Sequence, residues 1–389
     1  MSMYGRGKPR PSKIVIASTL CILLTLICLF WHATSDASSV FSSTPHRRSG
    51  FAMCVPPHLP TGFIVEHRTW LQSLLGSDAH SVPYEFTTIR DLPPTLTREL
   101  KLYSERVHVF VGEQLILRTG RVVDKFEGYY CKLLALSICS LDDIIWLDFD
   151  VFLLHDPRKL FRTREYVDTG TLLFRESLVR RGTHGEPEDT PEKRWAAIKR
   201  AVQLVREDET LAHLLTAEQK FVRLASESPM GTMNSFVATE SSLILFNRTV
   251  VSEALKLLLA LADAVMRVSP MSGGREYLDF MHGDCEFFWV ALALSGLRFA
   301  FSQWTCSYAW TSTHSPCLQA QLVPNEPSRL LYINQVKDLD AFTAARSAVC
   351  NGETRYGKER TFSDDVMSPG ARCVHDNNTS TLRAHIKCA

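Results

Sequence analysis

Asp142-Asp143-Ile-Ile-Trp-Leu-Asp148-Phe-Asp150-Val-Phe-Leu-Leu-His-Asp-Pro157 places two carboxylates one residue apart inside an otherwise apolar run. From Ile144 to Leu154 the apolar residues read as one buried strand. On such a strand side chains alternate, so Asp148 and Asp150 share one face and Leu147, Phe149 and Val151 the other. Two charges about 6 Å apart repel by roughly 3 kcal/mol at an effective dielectric near 20. Burial adds a desolvation cost. A divalent cation offsets both, and hard oxygen ligands suit Mn²⁺ or Mg²⁺. The competing reading ends the strand at Leu147 and leaves both acids in a loop facing water.

Working outward, short apolar runs alternate with longer helical patterns, which predicts an α/β domain over residues 61–345. His108–Gly112 reads as a strand and Phe126–Cys139 as a helix. Tyr166–Phe174 reads as a loop entering a strand, Glu240–Asn247 as a strand and Val251–Val268 as an amphipathic helix. Asp284 opens a further helix, and Leu297–Phe301 is a last core strand. Residues 176–225 are dense in Arg, Lys and Glu and read as a solvated helical insertion. Residues 32–60, rich in Ser, Thr, Pro and His, read as a stem. Residues 346–389 read as a tail carrying three cysteines and two sequons.

Ile14–Trp31 holds no charge, Pro or Gly, a length close to the roughly 20 residues that a membrane-spanning helix needs. Arg6, Lys8, Arg10 and Lys13 precede it without an acid. They predict a cytosolic tail over residues 1–13, an anchor over 14–31 and a lumenal remainder. A cleaved signal peptide competes, although its apolar core usually runs only ~7–15 residues. Of eleven cysteines, Cys21 and Cys28 lie in the anchor and the other nine fit an oxidising lumen in which some pair, with Cys306 and Cys317 the local candidate. Asn247-Arg-Thr, Asn377-Asn-Thr and Asn378-Thr-Ser are N-glycosylation sequons. A net charge of +1 over 389 residues, with acids interleaved among the bases, argues against a nucleic-acid partner.

The segment from Tyr130 to Phe161, followed by Tyr166-Val-Asp-Thr-Gly-Thr-Leu-Leu-Phe174, resembles the donor-binding core of the fungal-type Golgi α-mannosyltransferases, glycosyltransferase family 71. The matching features are Lys132 on a Leu/Ala-rich helix, Leu-Asp148-x-Asp150, Asp156-Pro157 and Thr169-Gly170. Downstream, Glu240-Ser241-Ser242 resembles the family's Glu-Ser-Gly segment. His282-Gly283-Asp284-Cys285-Glu286-Phe-Phe-Trp289 resembles its Gly-Asp-Lys-Glu-x-Phe-Trp segment. Cys285 stands in place of Lys and Ser242 in place of Gly. Asn334-Gln-Val-Lys337 lacks the preceding His that often serves as a third metal ligand, and His314 is the substitute on offer.

The resemblance implies a GT-A type nucleotide-sugar-binding sandwich and a retaining, metal-dependent transferase. Its partners would be a nucleotide sugar, GDP-mannose first, and a glycan acceptor. It would sit in the Golgi membrane as a single-pass type II protein. Asp150, assisted by Asp148, would hold Mn²⁺ or Mg²⁺ on the diphosphate. Lys132, Asp148, Thr169 and Gly170 would bind donor, and Asp284, Glu286 and Glu240 are the candidate catalytic carboxylates. Each has a plainer reading: Lys132 as a surface residue, Asp284 as an N-cap, Glu286 as a first-turn acid and Thr169-Gly170 as a turn. A UDP-sugar donor and a non-catalytic binding protein on the same fold are the alternatives. An Asp-nucleophile phosphatase is disfavoured, because Phe152 stands where it requires Thr or Val.

Overall fold

The computed structural model describes residues 47–111, 127–178, 191–226, 228, 237–268, 286–305, 307–310, 318–334, 336, 339–350, 355–357 and 380–381. Residues Arg48–Ala389 form one unit. Its first strand, β1 (Ser49–Cys54), is an inner strand of the main sheet and lies within the stretch expected to be a stem. The folded unit therefore begins some dozen residues earlier than the sequence reading placed it. Gly50 shows why β1 lies where it does: an added Cβ would come within 2.3 Å of the Pro83 carbonyl oxygen, which accepts the Phe51 N–H at 3.0 Å. Only glycine admits that approach.

The remaining elements follow in α/β alternation. They are α1 (Thr61–Leu75), β2 (Tyr84–Thr88), α2 (Pro94–Lys101), β3 (Val107–Val111), α3 (Glu127–Ile138) and β4 (Asp143–Leu147). After β5 (Phe152–Leu153) come α4 (Arg164–Thr169), β6 (Thr171–Leu178), α5 (Pro191–Arg206), α6 (Glu218–Ala225), β7 (Val237–Asn247) and α7 (Arg248–Val268). The chain continues through α8 (Phe287–Leu294), β8 (Phe301–Thr305), β9 (Ser307–Trp310), β10 (Leu318–Val323), β11 (Glu326–Ile333), α9 (Leu339–Cys350), β12 (Arg355–Gly357) and β13 (Ser380–Thr381).

Among the described residues, seven strands form the main sheet in the order β3-β2-β1-β4-β7-β6-β8. β1 pairs in parallel with β2 and β4, and β7 runs antiparallel between β4 and β6. Both faces are covered, which is why β2 and β4 are buried at every position rather than alternately. Ile144 and Trp146 pack with α3, α5, α7 and α8. Ile145 and Leu147 pack on the other face with α1, the second sheet and α9.

Helices α5 and α6 correct the reading of residues 176–225 as solvated. Ile198, Ala201, Val202 and Val205 recur at helical spacing and are buried, as are Phe221, Leu224 and Ala225. The charged side chains crowd the outer face while a narrow apolar stripe joins the core. The second sheet, β13-β12-β9-β10-β11-β5, was not anticipated. It draws β12 and β13 out of the expected tail.

The opening stretch changes sheet partway. β4 ends at Leu147, a turn occupies residues 148–150, and β5 then pairs with β11 of the second sheet. The single strand expected from Ile144 to Leu154 is two strands joined by an acidic turn. Burial still alternates through the turn, with Phe149 and Val151 buried and Asp148 and Asp150 half-exposed. No helix of the described residues is long and apolar enough to cross a membrane; residues 14–31 lie outside them.

Candidate active site

β1, β2 and β4 are parallel, so their carboxyl ends share one rim of the sheet. The chain moves from β1 outward to β2 and β3, then returns to lay β4 on the other side of β1. That reversal is a topological switch point, where open α/β sheets leave a crevice for ligands. Asp148 is the first residue past β4 at this point. Its N–H donates to the Ser242 carbonyl at 2.9 Å, and its carbonyl accepts from Val151 at 3.2 Å, closing the turn.

Both oxygens of the Asp148 carboxylate are held. Oδ1 accepts the Trp146 indole N–H at 2.8 Å. Oδ2 accepts from the Lys132 ammonium at 2.9 Å. Lys132 is buried, and its ammonium also donates to the Ser241 carbonyl at 3.0 Å and the Ser241 hydroxyl at 3.1 Å. Lys132 is thus not a surface residue: its ammonium is turned inward to Asp148 and Ser241. Its geometry fixes the Asp148 carboxylate in place. Helix α3, which carries Lys132, is tied to the carboxyl end of β1 by the Cys54–Cys131 disulfide, whose Cα atoms are 5.9 Å apart. Cys350 is also disulfide-bonded, and Cys139 is free and buried. Cys306 and Cys317 lie outside the described residues.

Glu240 enters from β7 and is buried. Its Oε1 accepts from the Ser242 N–H at 2.9 Å and, at a long 3.4 Å, from the Asn334 amide. Burial pushes its carboxyl above the usual range; the Ser242 bonds and the Lys132 charge oppose this, while the Asp150 charge adds to it. Asp150 is half-exposed, and its carbonyl accepts from Val336 at 2.9 Å. The Ser242 hydroxyl donates to the Tyr332 hydroxyl at 3.3 Å, linking β7 to β11.

The structure thus brings Lys132, Asp148, Asp150 and Glu240 together. It does not bring in Thr169 and Gly170. Those residues sit level with the amino end of β4, since Thr171 pairs with Phe246 and Phe246 with Ile144. Gly170 ends α4 in the left-handed region at φ 70°, and its N–H returns to the Tyr166 carbonyl at 2.7 Å. Thr169 spends its hydroxyl on the Glu165 carbonyl at 2.8 Å. The Thr-Gly pair is a helix stop.

Glu286 is fully buried just before α8. One carboxylate oxygen accepts from the Thr239 N–H at 3.1 Å and the other from the Trp289 indole N–H. It joins β7 to α8, with both oxygens engaged inside the core. Asp284, His282, Cys285, His314 and Lys337 lie outside the described residues.

Trp146 escaped the sequence reading, and Ser241 and Asn334 entered it only as members of motifs, without a role. Trp146 stands two positions before Asp148 on a strand, hence on the same face, and that spacing was an available signal. Ser241 and Asn334 act through contacts across 109 and 94 positions, which no local pattern encodes.

Three carboxyl groups, Asp148, Asp150 and Glu240, face one ammonium. Carboxylate oxygens are the donor type that suits a hard divalent cation. Among the described residues no three His, Cys, Asp or Glu side chains converge as a metal cluster. Asp150 is the carboxylate best placed for a cation, since both Asp148 oxygens already accept from Trp146 and Lys132.

Fold and site define an α/β protein with a carboxylate-lined crevice at the switch point of its sheet. The family is more specific. A family model described as "Mannosyltransferase putative" matches residues 92–315, more than half of the chain, and the chain belongs to that family. It is similar to the "Putative alpha-1,3-mannosyltransferase MNN14" of Candida albicans, with 25% identity over 174 residues. That match takes in 44% of this chain and spans about a fifth (22%) of the relative. Among solved structures it is similar to core-mannan synthase A (CmsA/Ktr4) from Aspergillus fumigatus in an Mn/GDP form. The TM-score is 0.38 and the identity 10%, over 67% of this chain and 74% of that one. It is also similar to the mannosyltransferase Ktr4p from S. cerevisiae, at TM-score 0.34 and 12% identity, over 65% and 68% of the two chains.

Proposed function

We propose that this chain transfers mannose from a nucleotide sugar, GDP-mannose, to a hydroxyl of a glycan acceptor, with retention of configuration. The reading extends to a GT-A type fold held in the Golgi membrane by an N-terminal type II anchor, with the catalytic body in the lumen. The observation that carries it is the clamped Asp148 with the neighbouring Asp150 and buried Glu240 at the carboxyl rim of β4, in a chain of the mannosyltransferase family.

In a glycosyl transfer, positive charge develops at the anomeric carbon and negative charge on the departing diphosphate. A divalent cation, when bound, supplies Lewis-acid stabilisation of the departing charge. Asp150 would hold that cation. Asp148 adds a fixed negative charge that cannot swing away, because Lys132 and Trp146 each fasten one oxygen. Glu240, oriented by Ser242 and Asn334, places a carboxylate in a weakly solvated pocket where its field on a developing cation is little screened.

The test is transfer and hydrolysis of GDP-mannose against UDP-galactose and UDP-glucose by the purified chain with Mn²⁺, alongside Asp150→Ala. Turnover of GDP-mannose that Asp150→Ala abolishes supports the reading. Turnover of a UDP-sugar alone moves the donor. A chain that binds Mn²⁺ and folds yet turns over none of the three, in wild type and variant alike, refutes catalysis.

A further inference from the structure

Of the three sequons, Asn247-Arg248-Thr249 is the one whose asparagine lies within the described residues, and the catalytic reading makes no use of it. Asn247 ends β7 and Arg248 opens α7. The backbone there is firmly held: the Asn247 N–H donates to the Gly170 carbonyl at 2.7 Å, and the Arg248 N–H to the Asp142 carbonyl at 2.8 Å. The Asn247 side chain is half-exposed and Thr249 is exposed.

The Asn247 amide is divided between two uses. Its Oδ1 accepts the Val250 N–H at 3.3 Å, capping the first turn of α7. That bond occupies the oxygen, whereas N-glycosylation modifies the nitrogen. A substituent on Nδ2 therefore leaves the cap intact. Two exposed apolar side chains flank this junction, Val250 at 43% and Val167 at 68% exposure. Gly170 lies against Val250, since a Cβ added to it would approach the Val250 side chain to 3.0 Å.

Position separates this junction from the crevice. Asn247 pairs with Asp143, and Leu243 with Leu147, so the sequon and Asp148 lie at opposite rims of the sheet. Four residues of strand span about 13 Å. The Cys54–Cys131 disulfide is also characteristic of oxidising compartments, where asparagine-linked glycans are added.

We infer that Asn247 carries an N-linked glycan. C1 of an oligosaccharide bonds to Nδ2, and the bond from C1 to its lipid-pyrophosphate carrier breaks. The lipid pyrophosphate departs with the electron pair, and the amide proton is lost to base. The lipid-linked oligosaccharide is the co-reactant. The sugar chain would cover the exposed valines at the rim remote from donor and acceptor.

The experiment uses the full chain secreted from a eukaryotic host, with Asn377→Gln and Asn378→Gln to remove the other sequons. Enzymatic de-N-glycosylation in ¹⁸O-water followed by peptide mass analysis should convert Asn247 to ¹⁸O-labelled aspartate. Thr249→Ala should abolish the label and raise gel mobility, while Thr249→Ser retains it. Thr249→Ala keeps the Asn247 cap, so its folding is not in question, and its transferase turnover should stay within about twofold because the change lies at the far rim. Unmodified Asn247 in the secreted protein, or a label that survives Thr249→Ala, overturns the assignment. Because the readout is mass, the result stands whether or not the chain turns over GDP-mannose.

Discussion

Asp143 and Asp148 bracket the same strand, one at its first residue and one just past its last, yet their surroundings differ. Asp143 is buried and accepts from the Tyr166 hydroxyl at 2.6 Å and the Ser49 hydroxyl at 3.3 Å. Those hydroxyls join α4 and β1 to β4. Asp148, with its side chain 28% exposed, is paired with a buried ammonium. It stands near two further carboxyl groups, Asp150 and Glu240, whose charges act on each other. Burial alone therefore does not mark the functional rim. What marks it is a group of carboxyls gathered where the chain leaves one sheet for the other.

The sharpest break in this comparison is Asp150→Asn. Turnover should fall about 10³-fold, the several kcal/mol that cation-held charge stabilisation supplies. Thermal unfolding should stay close to wild type, because Asp150 contributes its backbone carbonyl, not a buried side chain, to the turn. Equal loss of stability and activity would remove Asp150 from the site. Glu240→Gln comes next, at about 10²-fold in kcat with the donor KM little changed, as loss of a positioned catalytic carboxylate predicts. Steady-state kinetics over donor concentration separates the two constants.

Lys132→Met tests the clamp. Removing one partner of a buried pair costs about 3–5 kcal/mol, and partial exposure of Asp148 should reduce that to roughly 2. Turnover should fall as well, because Asp148 loses the contact that fixes one of its oxygens. Unchanged turnover in a folded variant would show the lysine to be structural only.

His67 gives a pH signature on the other face of the sheet. Burial lowers its pKa to about 3, and its ring packs 5.2 Å from that of Phe149 in the acidic turn. The native state keeps it neutral while the unfolded chain binds a proton below about pH 6.5, so stability is full above that pH and falls as pH drops toward 3. Between pH 7.5 and 5 the loss should be about 2 kcal/mol by denaturant titration, and His67→Phe should flatten it. The smallest effect is expected at the opposite rim. Tyr166→Phe should cost about 1 kcal/mol of stability, one hydrogen bond to Asp143, and leave turnover unchanged.

Much of the site was legible because its residues cluster along the chain. Lys132, Asp148 and Asp150 fall within one helix–loop–strand unit, and the apolar runs around them place that unit inside a sheet. The errors have a common cause: they depend on pairing between distant segments. SGFAMC is too short and too isolated in sequence to announce itself as the inner strand β1, and only β2 and β4 make it one. Thr169-Gly170 has the composition of a ligand-facing loop, and it is the register of β6 on β7 that sends it to the other rim. Glu286 carries the signature of a catalytic acid at a helix start, but the Thr239 N–H and the Trp289 indole claim it. In α5 the apolar spacing was present, outweighed by the number of charges around it.

The Cys54–Cys131 disulfide has a consequence for assembly. It closes a span of 77 positions that contains α1, β2, α2 and β3, a whole flank of the main sheet. Cross-linking a loop of that length lowers the entropy of the unfolded chain by an amount equivalent to about 4.5 kcal/mol at 25 °C on the chain-entropy account. The residue beside Cys131 is the lysine that must leave water to meet Asp148. The same bond that shrinks the unfolded ensemble also tethers α3 at the rim before its charge is desolvated, so oxidative folding and construction of the acidic crevice become one event.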